Sequence, residues 1–411
     1  MRERTRLLVV AAAAATVVVA VVVFVAVTAG RHPAPAPTGS GTAASSSPNP
    51  TSPSPEPPSK VPTMPPAWLA WIAGSLPPGL AAEASREPAL GTVVVVAGDT
   101  RWMNESRDAD GRRVDHPDPP FAIPIDAFAV APREYAPFLP PTWRAEVTGA
   151  LSDGRAVLGQ TSADLRRIGP GGTLRFGGTT IRVGAVVPDA AVGYAEVLLS
   201  RERGRAIGIV HDRYLLSLPD GDLSDLRFSR LMARLIPATS IETLRPGASR
   251  FMRIASGVNP PVVTKSIFGE FAAAPNPSNP AFLTIDPAWV DANIVTRRVP
   301  LLGRVTCHRL LLGPLTDALT EIRAEGLADT IRIYSGCWAA RTVQRSPTAP
   351  PSQHAYGAAI DINAPFSPFG APPNFDPRAV AIFEAHGFRW GGPFLIPDGH
   401  HFEWGRLQPP G

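Results

Sequence analysis

Two short stretches near the C-terminus gather side chains suited to metal chemistry: residues 352–363 (SQHAYGAAIDIN) and residues 398–404 (DGHHFEW). They contain His354, Asp361, His400 and His401, and imidazole with carboxylate suits a borderline divalent ion such as zinc. Three protein ligands and one open position are what a catalytic zinc requires. Ala359-Ile360-Asp361-Ile362 alternates as a strand does, which puts Asp361 on the face opposite Ile360 and Ile362. Gly357 lets the chain turn between His354 and that strand, and the small Ala358 and Ala359 leave room beside them. Residues 401–404 read as a second strand, with Phe402 and Trp404 on either side of Glu403. Asp398 has two readings: a carboxylate near the metal that takes a proton, or a turn former in Pro397-Asp398-Gly399.

The elements that position these residues are legible in outline. Residues 314–324 have helical apolar spacing with Pro at the first turn, and residues 330–334 read as a strand. Cys307 and Cys337 are the only cysteines, and an even count outside a membrane points to one disulfide. Two cysteines with neighbouring His308 make a poor structural zinc site by comparison. A disulfide closing this loop contributes about 3–4 kcal/mol. It ties the segment before the 314–324 helix to the loop carrying Arg341. Upstream, short apolar runs alternate with turn signals: residues 92–96, 155–158, and 173–176 joined through Gly177-Gly178 to 180–183 as a hairpin. Helices are expected from Ser162 to just before Gly169 and over residues 222–236. His116 and His211 lack metal-ligand neighbours in sequence and read as surface or core histidines.

Composition sets the outer limits. The chain has 411 residues with 48 Pro, 36 Gly, 44% hydrophobic and 18% charged residues, which excludes both a wholly disordered chain and a polytopic membrane protein. Its net charge of +4 comes from Arg, Lys60 and Lys265 being the only lysines. Arg is interleaved with acids rather than clustered, which argues against a nucleic-acid partner and favours an anionic envelope environment. Residues 1–6 form a basic tail and residues 7–29 an uncharged apolar run long enough to span a bilayer. The arginines keep that tail cytoplasmic, making 7–29 a single-pass signal-anchor, with a cleaved signal peptide as the alternative. Residues 30–66 are a disordered Pro/Ser-rich linker. The remainder divides into a β-rich extracytoplasmic domain of unread function (67–250), a connector (251–280) and a compact α+β domain (281–411).

The two chemical stretches resemble the M15 family of zinc D,D-peptidases, which includes VanY-type D-alanyl-D-alanine carboxypeptidases and phage L-alanyl-D-glutamate endopeptidases. Ser352, His354, Gly357, Ala359 and Asp361 match the first family motif, and Asp398, His401, Phe402 and Glu403 match the second. Trp390-Gly391-Gly392 matches the stretch that precedes the second, and the likeness covers roughly residues 281–405. It implies an α+β Hedgehog/D,D-peptidase-like fold and Zn2+ held by His354, Asp361 and His401. It also implies Asp398 as catalytic base and Arg341 as the group that contacts substrate and stabilises the oxyanion. Glu403 would then orient a ligand or Arg341, and Ser352 would hydrogen-bond near the site. His400 stands where relatives carry an apolar residue and competes as a ligand, although His401 holds the family spacing from Asp398. Phe394 replaces a common Trp, and His308 and His386 are structural. The function implied is membrane-anchored hydrolysis of peptidoglycan stem peptides, first of all as a D-Ala-D-Ala carboxypeptidase. Alternatives are an L-Ala-D-Glu-type endopeptidase and a non-catalytic wall-binding scaffold. Separately, residues 161–189 resemble, by pattern alone, the extracytoplasmic β domains of bacterial export permeases.

Overall fold

The apolar runs upstream of residue 245 pair edge to edge into one ten-stranded sheet. A computed structural model describes residues 64–238, 240–244 and 259–406. In chain order the strands are Trp68–Trp71 (β1), Thr92–Met103 (β2), Glu105–Arg107 (β3), Ile123–Val130 (β4) and Ala156–Gly159 (β5). Thr173–Phe176 (β6), Thr179–Val187 (β7), Val197–Ser200 (β8), Asp212–Leu218 (β9) and Glu242–Leu244 (β10) complete the order β10-β1-β9-β2-β4-β8-β5-β7-β6-β3. β4 runs parallel to β8 and is buried along its whole length, which explains its nearly unbroken apolar sequence. Phe128 and Val130 enter one core with Val94, Val96 and Leu198, while Ile125, Ala127 and Ala129 enter another on the opposite face. The expected hairpin forms, with β6 and β7 pairing Phe176 to Thr179 across Gly177-Gly178. The two expected helices are Gln160–Arg166 and Asp225–Leu235, the latter capped by the Ser224 side chain and ending ahead of Pro237.

The C-terminal part packs around a separate core. Residues 251–280, read from sequence as a connector, contribute the helix Pro261–Phe268 to it. Val262, Ile267, Phe268 and Phe271 lie in the same cluster as Leu315, Leu319, Ile360, Phe383 and Phe402. The Pro-rich passage that follows is a hairpin of Ala273–Asn276 (β11) and Asn279–Ile285 (β12). Next come the paired Ile294–Val299 (β13) and Gly303–His308 (β14). A four-stranded sheet carries the chemistry: Tyr334–Gly336 (β15), Ala359–Ile362 (β16), Phe388–Gly391 (β17) and Asp398–Trp404 (β18), in the order β15-β16-β18-β17. The helices Leu312–Ala324 and Pro377–Ala385 bury Leu319, Ile322, Val380 and Phe383 in this core. The strand expected at 330–334 starts only at Tyr334. The Asn363 side chain accepts from the amides of Arg332 and Ile333, taking the place of a strand partner there.

The described residues form one compact unit, and a buried ion network joins its large sheet to the helix Pro261–Phe268. Lys265 Nζ donates to Glu196 Oε1 at 2.9 Å, to Glu270 Oε1 at 2.9 Å and to the Pro124 carbonyl of β4. Arg166 bonds the same two glutamates at 2.9 and 2.6 Å, and the Asp126 amide donates to Glu196 Oε2. Burial, reinforced by the neighbouring Glu196 charge, pushes the Asp126 carboxyl well above the usual range. Among the described residues no helix is long and apolar enough to cross a membrane. The expected tail, anchor and most of the linker, residues 1–63, lie outside those described.

Candidate metal centre and cleft

Strand pairing brings the two chemical stretches together. Asp361 of β16 lies directly across from His401 of β18, and Ala359 across from Glu403. His401 and Glu403, two residues apart, share one face of β18, while Phe402 turns into the core. Between β17 and β18 the register jumps, Trp390 pairing with Phe402 but Gly391 with Asp398. The extra residues of β18 bulge, so that Asp398, His400 and His401 all line the same cleft. Gly391 permits this, because a Cβ there would stand 2.7 Å from the Asp398 carbonyl oxygen. His354 arrives from the single turn Gln353–Tyr356, closed by Gly357 at φ 64°, where a Cβ would meet the His308 amide at 2.5 Å.

Three donor atoms converge. His354 Nε2 lies 3.2 Å from His401 Nδ1 and 3.3 Å from Asp361 Oδ1, and the last two are 3.0 Å apart. Ligands of a tetrahedral ion bound at about 2.0–2.1 Å stand about 3.3–3.4 Å from one another, so the set fits such an ion with little adjustment. The far nitrogen of each ring is committed: His354 Nδ1–H donates to the Cys337 carbonyl at 2.6 Å, and His401 Nε2–H donates to Glu403 Oε2 at 3.2 Å. These bonds select the tautomers that aim both free lone pairs at the common point. The Cys307–Cys337 disulfide is formed, so the cross-link fixes the residue whose carbonyl orients His354.

The local field favours a cation. Burial would lower the pKa of His401, but its hydrogen bonds to Asp361 and Glu403 raise it to about 10. Burial likewise opposes the Asp361 carboxylate, yet His354 and His401 hold its pKa well below the usual range. Burial pushes the Asp398 carboxyl up, with the neighbouring His401 and His400 opposing. Asp398 Oδ1 has no hydrogen-bond partner among the described residues, although His400 Nε2 approaches to 3.2 Å at an unfavourable angle. His400 is outside the converging set: its Nδ1–H donates to the Ser367 carbonyl at 2.7 Å, and its Nε2 stands 3.9 Å from Asp361.

Arg341 is half-buried in the wall of a cleft of about 530 Å3 that also contains Asp361, Asp398, His400 and His401. Its backbone is held on both sides, Leu283 N donating to the Ala340 carbonyl and Ser352 N to the Arg341 carbonyl. Ser352 does not make the side-chain hydrogen bond expected of it. Its Oγ is buried without a partner among the described residues, and only its amide tethers the loop. Phe394 forms part of the cleft wall, its ring 6.1 Å from that of His401. His308 is structural, its Nε2–H donating to the Phe268 carbonyl at 3.1 Å, and burial lowers its pKa to about 4. His386 pairs with Glu321 at 2.7 Å away from the cleft lining. His211 pairs with the buried Asp99 at 2.7 Å, and His116 approaches Glu105 at 3.6 Å.

Several cleft residues escape motif reading. Asn259 and Thr264 line the cleft from a segment that sequence treats as a connector, and Asn259 Nδ2 donates to the Trp404 carbonyl at 2.9 Å. Their only sequence signal is the Pro260-Pro261 start of a short apolar helix. Arg345 also lines the cleft, four residues after Arg341, and stood out in sequence only as one of many arginines. The Cys337 carbonyl, being backbone, has no sequence signal at all.

Residues 345–404 match the model of a peptidase M15 family described as D-alanyl-D-alanine carboxypeptidase. No curated protein matches the chain. Among solved structures, the periplasmic region of MacB from Actinobacillus actinomycetemcomitans is similar at 10% identity and a TM-score of 0.30, over 44% of this chain and 88% of that one. A domain of a protein described as a permease from Porphyromonas gingivalis is similar at 14% identity and a TM-score of 0.28, over 45% and 91%. The segment that supplies His354, Asp361, Asp398, His401 and Glu403 is therefore M15-peptidase-like.

Proposed function

We propose that the protein is an extracytoplasmic zinc peptidase that hydrolyses peptidoglycan stem peptides, with D-Ala-D-Ala carboxypeptidase as its reaction. The observation that carries this reading is the convergence of His354 Nε2, Asp361 Oδ1 and His401 Nδ1 beside Asp398, whose Oδ1 is buried without a hydrogen-bond partner among the described residues. Zinc held by the three donors would supply Lewis acidity towards the scissile carbonyl and acidify an attacking water. Asp398, whose pKa is raised by burial, serves as the proton carrier: it takes the proton of the water and returns it to the leaving amine. Arg341 faces the cleft with a guanidinium suited to the negative charge that grows on the carbonyl oxygen. Glu403 and the Cys337 carbonyl keep the histidines in the required tautomers. A disulfide is stable in an oxidising space, which agrees with placement beyond a membrane anchored through residues 7–29.

The test is to measure zinc content and the products released from purified muropeptides by the full chain. The parent is expected to hold about one zinc and release D-alanine, and His354→Ala to lose the metal. Asp398→Ala should keep zinc but lose about 10²–10⁴-fold in kcat. A parent that binds no zinc and leaves every muropeptide intact would end the peptidase reading.

A further inference from the structure

The cleft brings two guanidiniums together with three carboxylates, Asp361, Asp398 and Glu403. Arg341 and Arg345 both line it, and neither guanidinium has a hydrogen-bond or ion-pair partner among the described residues. Burial lowers the pKa of Arg341, Asp361 opposes this, and Arg345 is near enough to add to the lowering while Asp398 opposes it. The buried arginines of the unit are matched by acids, Arg166 by Glu196 and Glu270 and Arg213 by Asp99. In the cleft Asp361 is engaged with His354 and His401, Glu403 with His401, and Asp398 stands 3.2 Å from His400 Nε2. A divalent ion on the donor set would tip this balance of two guanidiniums and three carboxylates to positive.

The position of Arg345 is built rather than incidental. Gln344 and Arg345 adopt φ of 49° and 55°, a left-handed conformation that residues with a Cβ avoid, and both line the cleft. The loop is held in that shape from three sides. Val343 N donates to the Pro350 carbonyl at 2.9 Å, Thr342 N to the Ala281 carbonyl at 3.0 Å, and Thr100 N of β2 to the Thr348 carbonyl at 3.1 Å. The large sheet thus braces the wall that carries the second arginine.

We propose that Arg345, together with Arg341, binds a carboxylate of the substrate, and that this carboxylate is the free C-terminus of the residue released. The proposal rests on the peptidase reading of the cleft and adds to it the feature that separates a carboxypeptidase from an endopeptidase. Guanidinium and carboxylate form charge-assisted, often paired hydrogen bonds, and an amide in the same place forfeits the charge. An acidic side chain within the stem peptide offers the same chemistry and is the other source to separate.

The experiment uses the zinc-loaded full chain and three peptides ending in D-Ala-D-Ala: the free acid, its C-terminal amide, and the free acid with the stem glutamate changed to glutamine. The parent is expected to favour acid over amide by about 10- to 100-fold in kcat/KM. In Arg345→Gln that ratio collapses towards 1, mainly through KM, and Arg345→Lys restores part of it. A collapse that instead follows the glutamate-to-glutamine change keeps the carboxylate contact and overturns the C-terminal assignment. An unchanged acid-to-amide preference in Arg345→Gln overturns the proposal altogether. Binding of N-acetyl-D-alanine to the metal-free protein, followed by calorimetry, separates this result from failure of the peptidase reading. Binding weakened at least about tenfold by Arg345→Gln supports the carboxylate site even where no peptide is cut, and equal binding by both proteins rejects it.

Discussion

The molecule contains two tight gatherings of ionisable side chains that end differently. In the buried network, Lys265 and Arg166 face Glu196 and Glu270, two cations against two anions, and each cation bonds both acids. In the cleft, two imidazole lone pairs and one carboxylate oxygen point at each other across 3.0 to 3.3 Å. The first set is complete and works as a fastener, holding the large sheet to the helix Pro261–Phe268. The second stays repulsive unless a proton or metal ion sits among the three atoms, which is what makes it a binding site. Proximity of charged groups therefore does not mark function, whereas an unfilled valence among them does.

The largest effect that separates the two gatherings comes from deleting one member of each. Lys265→Met leaves Glu196 and Glu270 buried against Arg166 alone and should cost about 3–5 kcal/mol of stability, read from denaturant unfolding of the metal-free protein. Adding Glu196→Gln should recover part of that loss, because it removes a charge left unpaired. His354→Ala should abolish zinc binding while lowering metal-free stability by less than about 2 kcal/mol, chiefly through loss of its bond to Cys337. The contrast fails if His354→Ala proves as destabilising as Lys265→Met, or if Lys265→Met binds no zinc under conditions where it is folded.

A smaller effect sharpens the metal side of the contrast. Glu403 accepts from His401 Nε2–H, so Glu403→Gln should leave a functional site with zinc affinity reduced about 10- to 100-fold. Competition against a chelating dye would measure it. Unaltered affinity would mean that the Glu403 contact does not set the His401 tautomer.

These two gatherings were unequally visible in sequence for a physical reason. Two of the donors, Asp361 and His401, come from adjacent antiparallel strands and His354 from the turn before the first, and strand alternation with a turn at Gly357 is enough to predict that His354 and Asp361 meet. The ion network includes pairs 69 and 104 positions apart, and no local pattern tells that Lys265 will reach Glu196 or that Arg166 will reach Glu270. The apolar helix that carries Lys265 lies in Pro-rich surroundings whose composition resembles a linker. The hairpin at Gly177-Gly178 and the helix ending before Pro237 were legible because turn and capping residues act locally. The strand expected over 330–334 failed because a distant side chain, Asn363, took the backbone amides that a neighbouring strand would have used.

The smallest expected effect lies at the edge of the network, in Asp126. Both of its carboxyl oxygens are buried without a hydrogen-bond partner among the described residues, and burial with the Glu196 charge raises its pKa well above the usual value. A carboxyl whose pKa rises on folding contributes stability that is fully present below the unfolded value, near 4. That contribution is lost as pH climbs through the folded value, at no more than about 1.4 kcal/mol per pH unit. Asp126→Asn keeps the shape of the neutral acid without a proton to lose, and its amide can donate towards Glu196. The parent should therefore lose melting temperature between pH 5 and pH 8 more steeply than the variant, and the variant should be the more stable at pH 8. Parallel melting curves for the two proteins would place a neutral hydrogen carrier beyond the ion network's need, and would leave Lys265 and Arg166 to balance a third buried charge.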